Sequence, residues 1–424
     1  MPSAEENDLL TRTGPGTPMG DLIRRYWQPA ALSREIPLGG APVPLKLLGE
    51  ELVLFRDEAG RPGLIGLHCA HRGADLSYGR LEDGGLRCIY HGWVYDVNGR
   101  CLEQPGEPAG STFHERIRHR AYPCREAGGI VYTYMGPDQP PLLPPYEFVG
   151  IPETNRNNYK VFQDCNFLQS NEGNLDPTHL SFLHLMADDD PEAAQTLCKE
   201  DRHPTIETED TDFGVRIYCI RRVHGDRNYV RVTNFVLPNF AAVSGTPGGY
   251  AVNWHVPIDD EHHWRFGIRF NRARPMPPGT IQSDRDGGVG ADHRLGRSRA
   301  NRYLQDRETM QTWSFTGLGR NFVTHDAWAT EGAGPIQDRT QEHLGSADRG
   351  IVAGRSQLLQ ALKDVREGRD PKGVWRDRSA PSPQMVVRSD TLLPASVDWR
   401  NYWEDDSIKP ELTTTIGAGI PIRA

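Results

Sequence analysis

Apolar positions along the chain change their spacing several times. Leu22, Ile23, Tyr26 and Trp27 recur at helical intervals among Asp21, Arg24 and Arg25, which predicts a helix over 18–30. From 43 to 135 the pattern shortens to alternating runs. Val53-Leu54-Phe55, a turn at Asp57-Glu58-Ala59-Gly60, and Gly63-Leu64-Ile65-Gly66-Leu67 read as a hairpin. Similar short strands are expected around Leu86–Tyr90 and Gly129–Tyr134. Pro137, Pro140, Pro141, Pro144 and Pro145 then crowd together; proline removes donors and stiffens the backbone, so this stretch reads as a connector. Beyond it the pattern predicts a helix over about 170–186, strands at Val215–Val223, Tyr229–Leu237, Tyr250–Val256 and Trp264–Phe270, and helices near 300–316 and 340–366. The Pro/Gly/Asp/Arg-rich stretch 272–300 reads as a long surface loop. The division expected is an N-terminal segment 1–42 packing on the second domain, an all-β domain 43–136, a linker 137–145 and a domain 146–424. Antiparallel strands with segregated helices make the fold class α+β.

Composition narrows the partners. A chain of 424 residues with 37% hydrophobic and 25% charged positions has enough apolar material for two domains. Its formal net charge of −9 and the lack of a Lys/Arg-rich block exclude a nucleic-acid surface. No run approaches the roughly 18 apolar residues of a membrane span. The start, Met1-Pro2-Ser3-Ala4-Glu5-Glu6, has no signal-peptide character, so the expected location is cytoplasmic. The Gly14–Gly20 run follows no strand and reads as a turn, not a nucleotide loop. Seven cysteines, an odd number in a large chain, point away from disulfides and toward metal ligation.

Two of them sit beside histidines. Cys69-Ala70-His71 and Cys88-Ile89-Tyr90-His91 form a C-x-H…C-x2-H pattern, with each pair expected at a hairpin tip. Two Cys and two His suit a [2Fe–2S] centre in which imidazoles replace thiolates on one iron; Cys69 and Cys88 would then hold one iron, His71 and His91 the other. A structural zinc site normally draws each ligand pair from one residue type, and this pairing departs from that rule. Cys69-Ala-His71-Arg-Gly and Cys88-Ile-Tyr-His91-Gly-Trp resemble the signature of the oxygenase subunits of Rieske non-heme iron oxygenases.

A carrier of electrons alone would not need the remaining chain. Asn166 to His184 contains Asp176-Pro-Thr-His179-Leu-Ser-Phe-Leu-His184. On an ideal helix the second histidine would be turned about 140° from the first, so both can reach one ion only if the helix is distorted or the ion lies between its turns. Two histidines and a carboxylate would complete a facial triad with positions open for O2. The block resembles the catalytic-iron segment of the same family. That resemblance implies His179 and His184 as ligands of a mononuclear Fe(II), and Asp176 as a carboxylate bridging to His91 of an adjacent subunit. Thr324-His325-Asp326-Ala-Trp-Ala-Thr-Glu331 resembles the family's carboxylate segment, which selects Asp326, with Asp338 and Asp348 as rivals expected in structural ion pairs. His325 and His343 could support the ligands from behind, but surface positions are expected for both.

The resemblance covers most of the chain. Leu10–Gly20 and Gly334–Gly345 resemble the phthalate dioxygenase-like branch, which implies an antiparallel helix-grip (START-like) catalytic domain and a homo-oligomer, a trimer or stacked trimers. It further implies electrons from NAD(P)H through a separate ferredoxin or reductase. The reaction expected is O2-dependent oxidation of a carboxylated aromatic: the specific expectation is oxidative O-demethylation of a lignin-derived biaryl of the 5,5′-dehydrodivanillate kind, releasing formaldehyde, and the alternative is cis-dihydroxylation or hydroxylation of a phthalate- or benzoate-type acid. A Rieske electron-transfer protein is the reading from another class. An anionic substrate would need a cation; Arg202, Arg216 and Arg231 are near the right strands, although strand arginines commonly face solvent.

Overall fold

The structure, a computed structural model, describes residues 2–187, 190–191, 193–244, 248–276, 288–380, 382 and 390–400. Ser3 opens helix α1 (Ala4–Thr11) with a capping box completed by Glu6. Thr17 caps α2 (Pro18–Arg24), where Pro18 sits at a position that needs no N–H. The helix expected over 18–30 therefore ends six residues early. Pro29 cannot continue it, and Gln28–Leu32 forms strand β1 instead.

Ten short strands follow: β2 (Val43–Leu47), β3 (Glu50–Arg56), β4 (Pro62–Gly66), β5 (Arg80–Glu82), β6 (Gly85–Arg87), β7 (Val94–Tyr95), β8 (Cys101–Glu103), β9 (Ala121–Tyr122), β10 (Cys124–Ala127) and β11 (Ile130–Thr133). They build sheets β2-β3-β4-β9 and β5-β6-β7-β8, while β11 is shared between β10 and β1. The β3–β4 pair is the expected hairpin. Val53, Phe55, Ile65, Leu76, Leu86 and Tyr95 bury one face between the two four-stranded sheets, with Cys69 and Cys88 in the same cluster.

The proline connector is tied down at its middle. Pro141 O accepts from Trp27 Nε1 at 2.8 Å, and Leu142 N donates to Trp375 O at 2.7 Å. Beyond it come α3 (Glu147–Gly150), β12 (Arg156–Gln163), α4 (Phe167–Leu175), α5 (Ala194–Glu200), β13 (Thr205–Asp210), β14 (Gly214–Val223), β15 (Arg227–Val236), β16 (Phe240–Val243), β17 (Ala251–Pro257), β18 (His263–Phe270), α6 (Thr309–Thr312), α7 (Phe322–Glu331), α8 (Arg349–Arg366) and β19 (Thr391–Pro394). The last eight strands form one antiparallel sheet in the order β12-β18-β17-β16-β15-β14-β13, with β19 on β15. The four strands expected here, now β14, β15, β17 and β18, are all present. The fold is α+β: a small β domain followed by an antiparallel sheet with helices packed against it.

Three further expectations need correction. The helix over 170–186 stops at Leu175, because Asp176 precedes Pro177 and turns extended (φ −99°, ψ 98°). Around 300–316 the only α-helix is α6, and Arg302, Tyr303 and Leu304 take left-handed backbone (φ 54°, 54° and 45°). The helix expected over 340–366 begins at Arg349. Within the predicted loop 272–300, residues 277–287 lie outside the described residues, as do 401–424 of the second domain. Helix α8 lies against β13 and β14 and meets α4 through glycine: a Cβ at Gly350 would stand 2.3 Å from Leu175 O. No helix among the described residues is long and apolar enough to cross a membrane.

Candidate metal centres

The two Cys–His loops are built alike. Cys69 N–H donates to Ala74 O, and Cys69 O accepts from Gly73 N, both at 2.8 Å. Cys88 makes the same pair of bonds with Trp93 O and Gly92 N, both at 2.9 Å. Gly73 and Gly92 close their loops at φ +71° and +77°, where a side chain would be strained. His71 and His91 lie with ring centroids 4.5 Å apart, and His71 stacks on Trp93 at 4.6 Å. The thiols are buried and the imidazoles exposed. Burial pushes the Cys69 thiol upward in pKa, so the chain alone keeps it protonated, and a cationic centre is what would make it a thiolate. Two buried sulfurs beneath two rim nitrogens fit a [2Fe–2S] cluster with one iron deeper than the other. All seven cysteines are free of disulfides.

A second cluster forms where α4 ends. Ligand atoms of His179, His184 and Asp326 all lie within 4.8 Å of one another, a group that no other His, Cys, Asp or Glu residues form among those described. Because Pro177 ends the helix, His179 falls in a separate 3₁₀ turn and His184 in the turn after it. The obstacle of 140° is thereby removed: the two rings face each other edge-on with centroids 5.0 Å apart. Asp326 comes from α7, which sequence periodicity did not reveal although Asn321, whose side chain accepts from Val323 N, is an ordinary N-cap signal. Asp326 Oδ1 lies 3.0 Å from His184 Nε2, and Oδ2 accepts from Arg265 Nη1 at 2.9 Å. Burial opposes its charge, but His184 and Arg265 hold the Asp326 carboxyl well below the usual carboxylate range. Burial pushes His184 down to about 4, leaving it neutral and able to ligate a cation. Burial lowers the His179 pKa, but Asp176 and Asp326 outweigh it and raise it above its ordinary value, so a cation there would displace a proton. Two imidazoles and one carboxylate are the donor set that suits a non-heme Fe(II) with open positions. Asp176, one residue past α4, accepts from Thr178 N at 2.7 Å and lies 3.7 Å from His179 Nδ1.

Behind Asp326 runs a buried polar row. Arg265 donates through Nη2 to Asn253 Oδ1 (3.0 Å), and Asn253 Nδ2 to Asn174 Oδ1 (2.7 Å). Asn174 Nδ2 then meets His255 Nε2 (2.7 Å), His255 Nδ1 meets His263 Nε2 (3.0 Å), and His263 Nδ1 meets Cys165 O (2.8 Å). These residues went unnoticed in the sequence, yet a signal exists. Asn253 and His255 on β17, and His263 and Arg265 on β18, are polar at every second position of otherwise apolar strands, with His255 paired to Arg265.

Other sequence expectations resolve differently. Asp338 and Asp348 are not in structural ion pairs; Asp338 accepts from Thr340 N and Oγ1, and Asp348 from Gly345 N, as local caps. His343 is exposed as expected, whereas His325 is fully buried against His184, with Nδ1 3.1 Å from His184 Nδ1 and Nε2 3.0 Å from Gly319 O. Arg202 is exposed over the Phe182 ring at 5.4 Å. Arg216 is buried with Glu209 and Asn234, and Arg231 is spent on Asp390, so neither faces solvent freely.

The family follows from these parts. Residues 26–123 match the Rieske [2Fe-2S] domain, and residues 133–416 match the family described as LigXa C-terminal domain like. The chain belongs to the Rieske non-heme iron oxygenases, enzymes that use a [2Fe–2S] cluster, non-heme iron and O2 with electrons from a reductase. Within that family it is 36% identical to the phthalate 4,5-dioxygenase oxygenase subunit of Pseudomonas putida, covering 95% of each chain. It is 35% identical to the 5,5′-dehydrodivanillate O-demethylase oxygenase subunit of a Sphingobium strain, covering 89% of this chain and 84% of that one. In fold it is similar to the terminal oxygenase of carbazole 1,9a-dioxygenase from Nocardioides aromaticivorans, with TM-score 0.57, 19% identity, and coverage of 85% of this chain and 98% of that one.

Proposed function

We propose that the chain is the terminal oxygenase of a multicomponent system that dihydroxylates the ring of a carboxylated aromatic, with Cys69, His71, Cys88 and His91 holding the [2Fe–2S] cluster and His179, His184 and Asp326 the mononuclear iron. The observation that carries this is the convergence of the three ligand atoms within 4.8 Å, downstream of the two Cys–His loops. When bound, the cluster supplies single electrons and the iron supplies O2 activation. The residues do the rest. The buried sulfurs of Cys69 and Cys88 would hold the cluster from inside the domain, and the exposed rings of His71 and His91 would hold it from the surface. Asp176, whose carboxylate lies 3.7 Å from His179 Nδ1, would accept a hydrogen bond from His91 of a neighbouring copy, a His–Asp–His link that would shorten the gap between centres and requires a homo-oligomer, a trimer in our reading. A separate ferredoxin or reductase delivers electrons from NAD(P)H.

Full-length similarity to a phthalate dioxygenase subunit supports the dihydroxylation reading. The second reading, O-demethylation of a methoxylated biaryl acid, is favoured by the 35% identity to the O-demethylase subunit. Turnover with a purified reductase on phthalate and on methoxylated aromatic acids separates them: a diol with no formaldehyde is expected, and stoichiometric formaldehyde reverses the order. Metal analysis tests the site itself. About three irons per chain are expected, and a chain holding two with full Rieske absorbance would be an electron carrier. Asp326→Ala should keep the cluster spectrum and lose the third iron; full retention would move the carboxylate assignment to another residue.

A further inference from the structure

Both ring nitrogens of His184 have a partner, and His325 is the one at Nδ1. Gly319 O can only accept, so the His325 nitrogen 3.0 Å away, Nε2, carries a hydrogen. That leaves His325 Nδ1, 3.1 Å from His184 Nδ1, as the atom that can accept from it. With a cation held between His184 Nε2 and Asp326 Oδ1, which lie 3.0 Å apart, Nε2 would be bare and His184 would donate from Nδ1 to His325. We infer that His325 is a positioning residue that locks His184 in its metal-binding tautomer and ring orientation; this rests on the reading of His184 and Asp326 as ligands.

The local fold supports the role. His325 and Asp326 are neighbours on α7, and one imidazole is addressed by both, His325 at Nδ1 and Asp326 at Nε2. Phe322, one turn earlier, stacks on His184 with centroids 4.4 Å apart, so the ring is held in plane as well as in tautomer. His325 is fully buried, which leaves no water to replace it as acceptor. The acceptor also carries no negative charge. Metal-bound histidines commonly donate to a carboxylate, which strengthens the ligand; an imidazole acceptor orients His184 without adding negative charge beside the iron.

The test compares side chains of similar shape and different charge. In Asn the Oδ1 atom takes the place of His Nδ1, Asp offers the same geometry with a charge, and Ala offers nothing. Fe(II) affinity is measured anaerobically by competition with a chromogenic chelator, together with the EPR spectrum of the nitric oxide adduct of the holoenzyme. His325→Asn should stay within a few-fold of the unmodified chain, and His325→Ala should bind Fe(II) about 10–100-fold more weakly. His325→Asp should bind more tightly than His325→Asn and alter the EPR rhombicity. Equal affinities for the Asn and Asp variants, or for the Asn and Ala variants, overturn the inference, because a role in packing alone would not follow acceptor or charge. An unmodified chain with only two irons overturns both the ligand assignment and this inference, whereas three irons with no differences among variants overturns the inference alone.

Discussion

Asp176 lies beside the triad without belonging to it. It is the first residue outside α4, its backbone is extended because Pro177 follows, and its carboxylate is held at its own turn by Thr178 N. Burial opposes ionisation, but His179 keeps the Asp176 carboxyl below the usual carboxylate range, so it is charged at neutral pH. Asp176→Asn removes that charge and keeps the shape. The expected result is an intact cluster spectrum, three irons and turnover reduced by orders of magnitude; near-normal turnover would remove the bridging role. At this scale the sequence was readable where spacing is itself chemical. The C-x-H and C-x2-H pairs and the Asp176/His179/His184 block could be named from residue types alone. Arg265, Asn253, Asn174, His255 and His263 could not, because each is ordinary by itself and acquires meaning only when β17 and β18 align them.

Among the elements, α4 ends just before Asp176, His179 and His184, and α8 packs against that end. Gly350 leaves 2.3 Å between an ideal Cβ and Leu175 O, one residue before Asp176, while Gly354 faces only the flexible Leu175 Cδ1 at 2.5 Å. Gly350→Ala gains helix propensity but must push the α4 backbone. A net loss of about 1–3 kcal/mol in denaturant unfolding is expected, with turnover falling further than stability. Gly354→Ala should cost less on both counts, and equal effects would show that the close approach is unimportant. The buried strand pair gives a second prediction. Burial pushes His263 down to about 3 from its ordinary 6.5, and His255 well below 6.5. Native histidines stay neutral while the unfolded chain takes up protons below pH 6.5. Their stabilisation is therefore complete above that pH and lost progressively as pH falls toward 3, at about 1.4 kcal/mol per pH unit for each histidine. Urea unfolding between pH 7 and 4 should show a shallower pH slope for His263→Gln than for the unmodified chain; identical slopes would mean that His263 is protonated in the native state. Elements were also where sequence periodicity misled. It carried helices through Pro29 and Pro177 and missed α7, since α7 is buried on several sides and shows no single apolar stripe.

The whole molecule is less divided than its two metal centres suggest. Leu52, Leu54 and Leu64 of the first domain, Val131 and Tyr132 of β11, and Phe235 and Trp254 of the large sheet belong to one continuous buried cluster. The N-terminal residues join in: β1 pairs with β11, and Asn166 of the second domain donates to Thr11 O. Thermal unfolding followed by cluster absorbance and by tryptophan fluorescence should therefore show coincident midpoints. A cluster signal lost well before the fluorescence change would mean that the domains separate first. The α+β architecture could be foreseen from strand and helix patterns, but this shared core could not, because it depends on which faces of distant elements meet. The buried row behind Asp326 has a consequence of its own. Its first member, the Arg265 guanidinium, can only donate, and its last, Cys165 O, can only accept. Every hydrogen between them must then point the same way, through both asparagines and both imidazoles, and reversing one would require reversing all. The row offers a clock for the sheet: the His263 Nδ1 hydrogen is expected to exchange with deuterium only when β17 and β18 open together, so its exchange rate would report how often the sheet behind Asp326 comes apart.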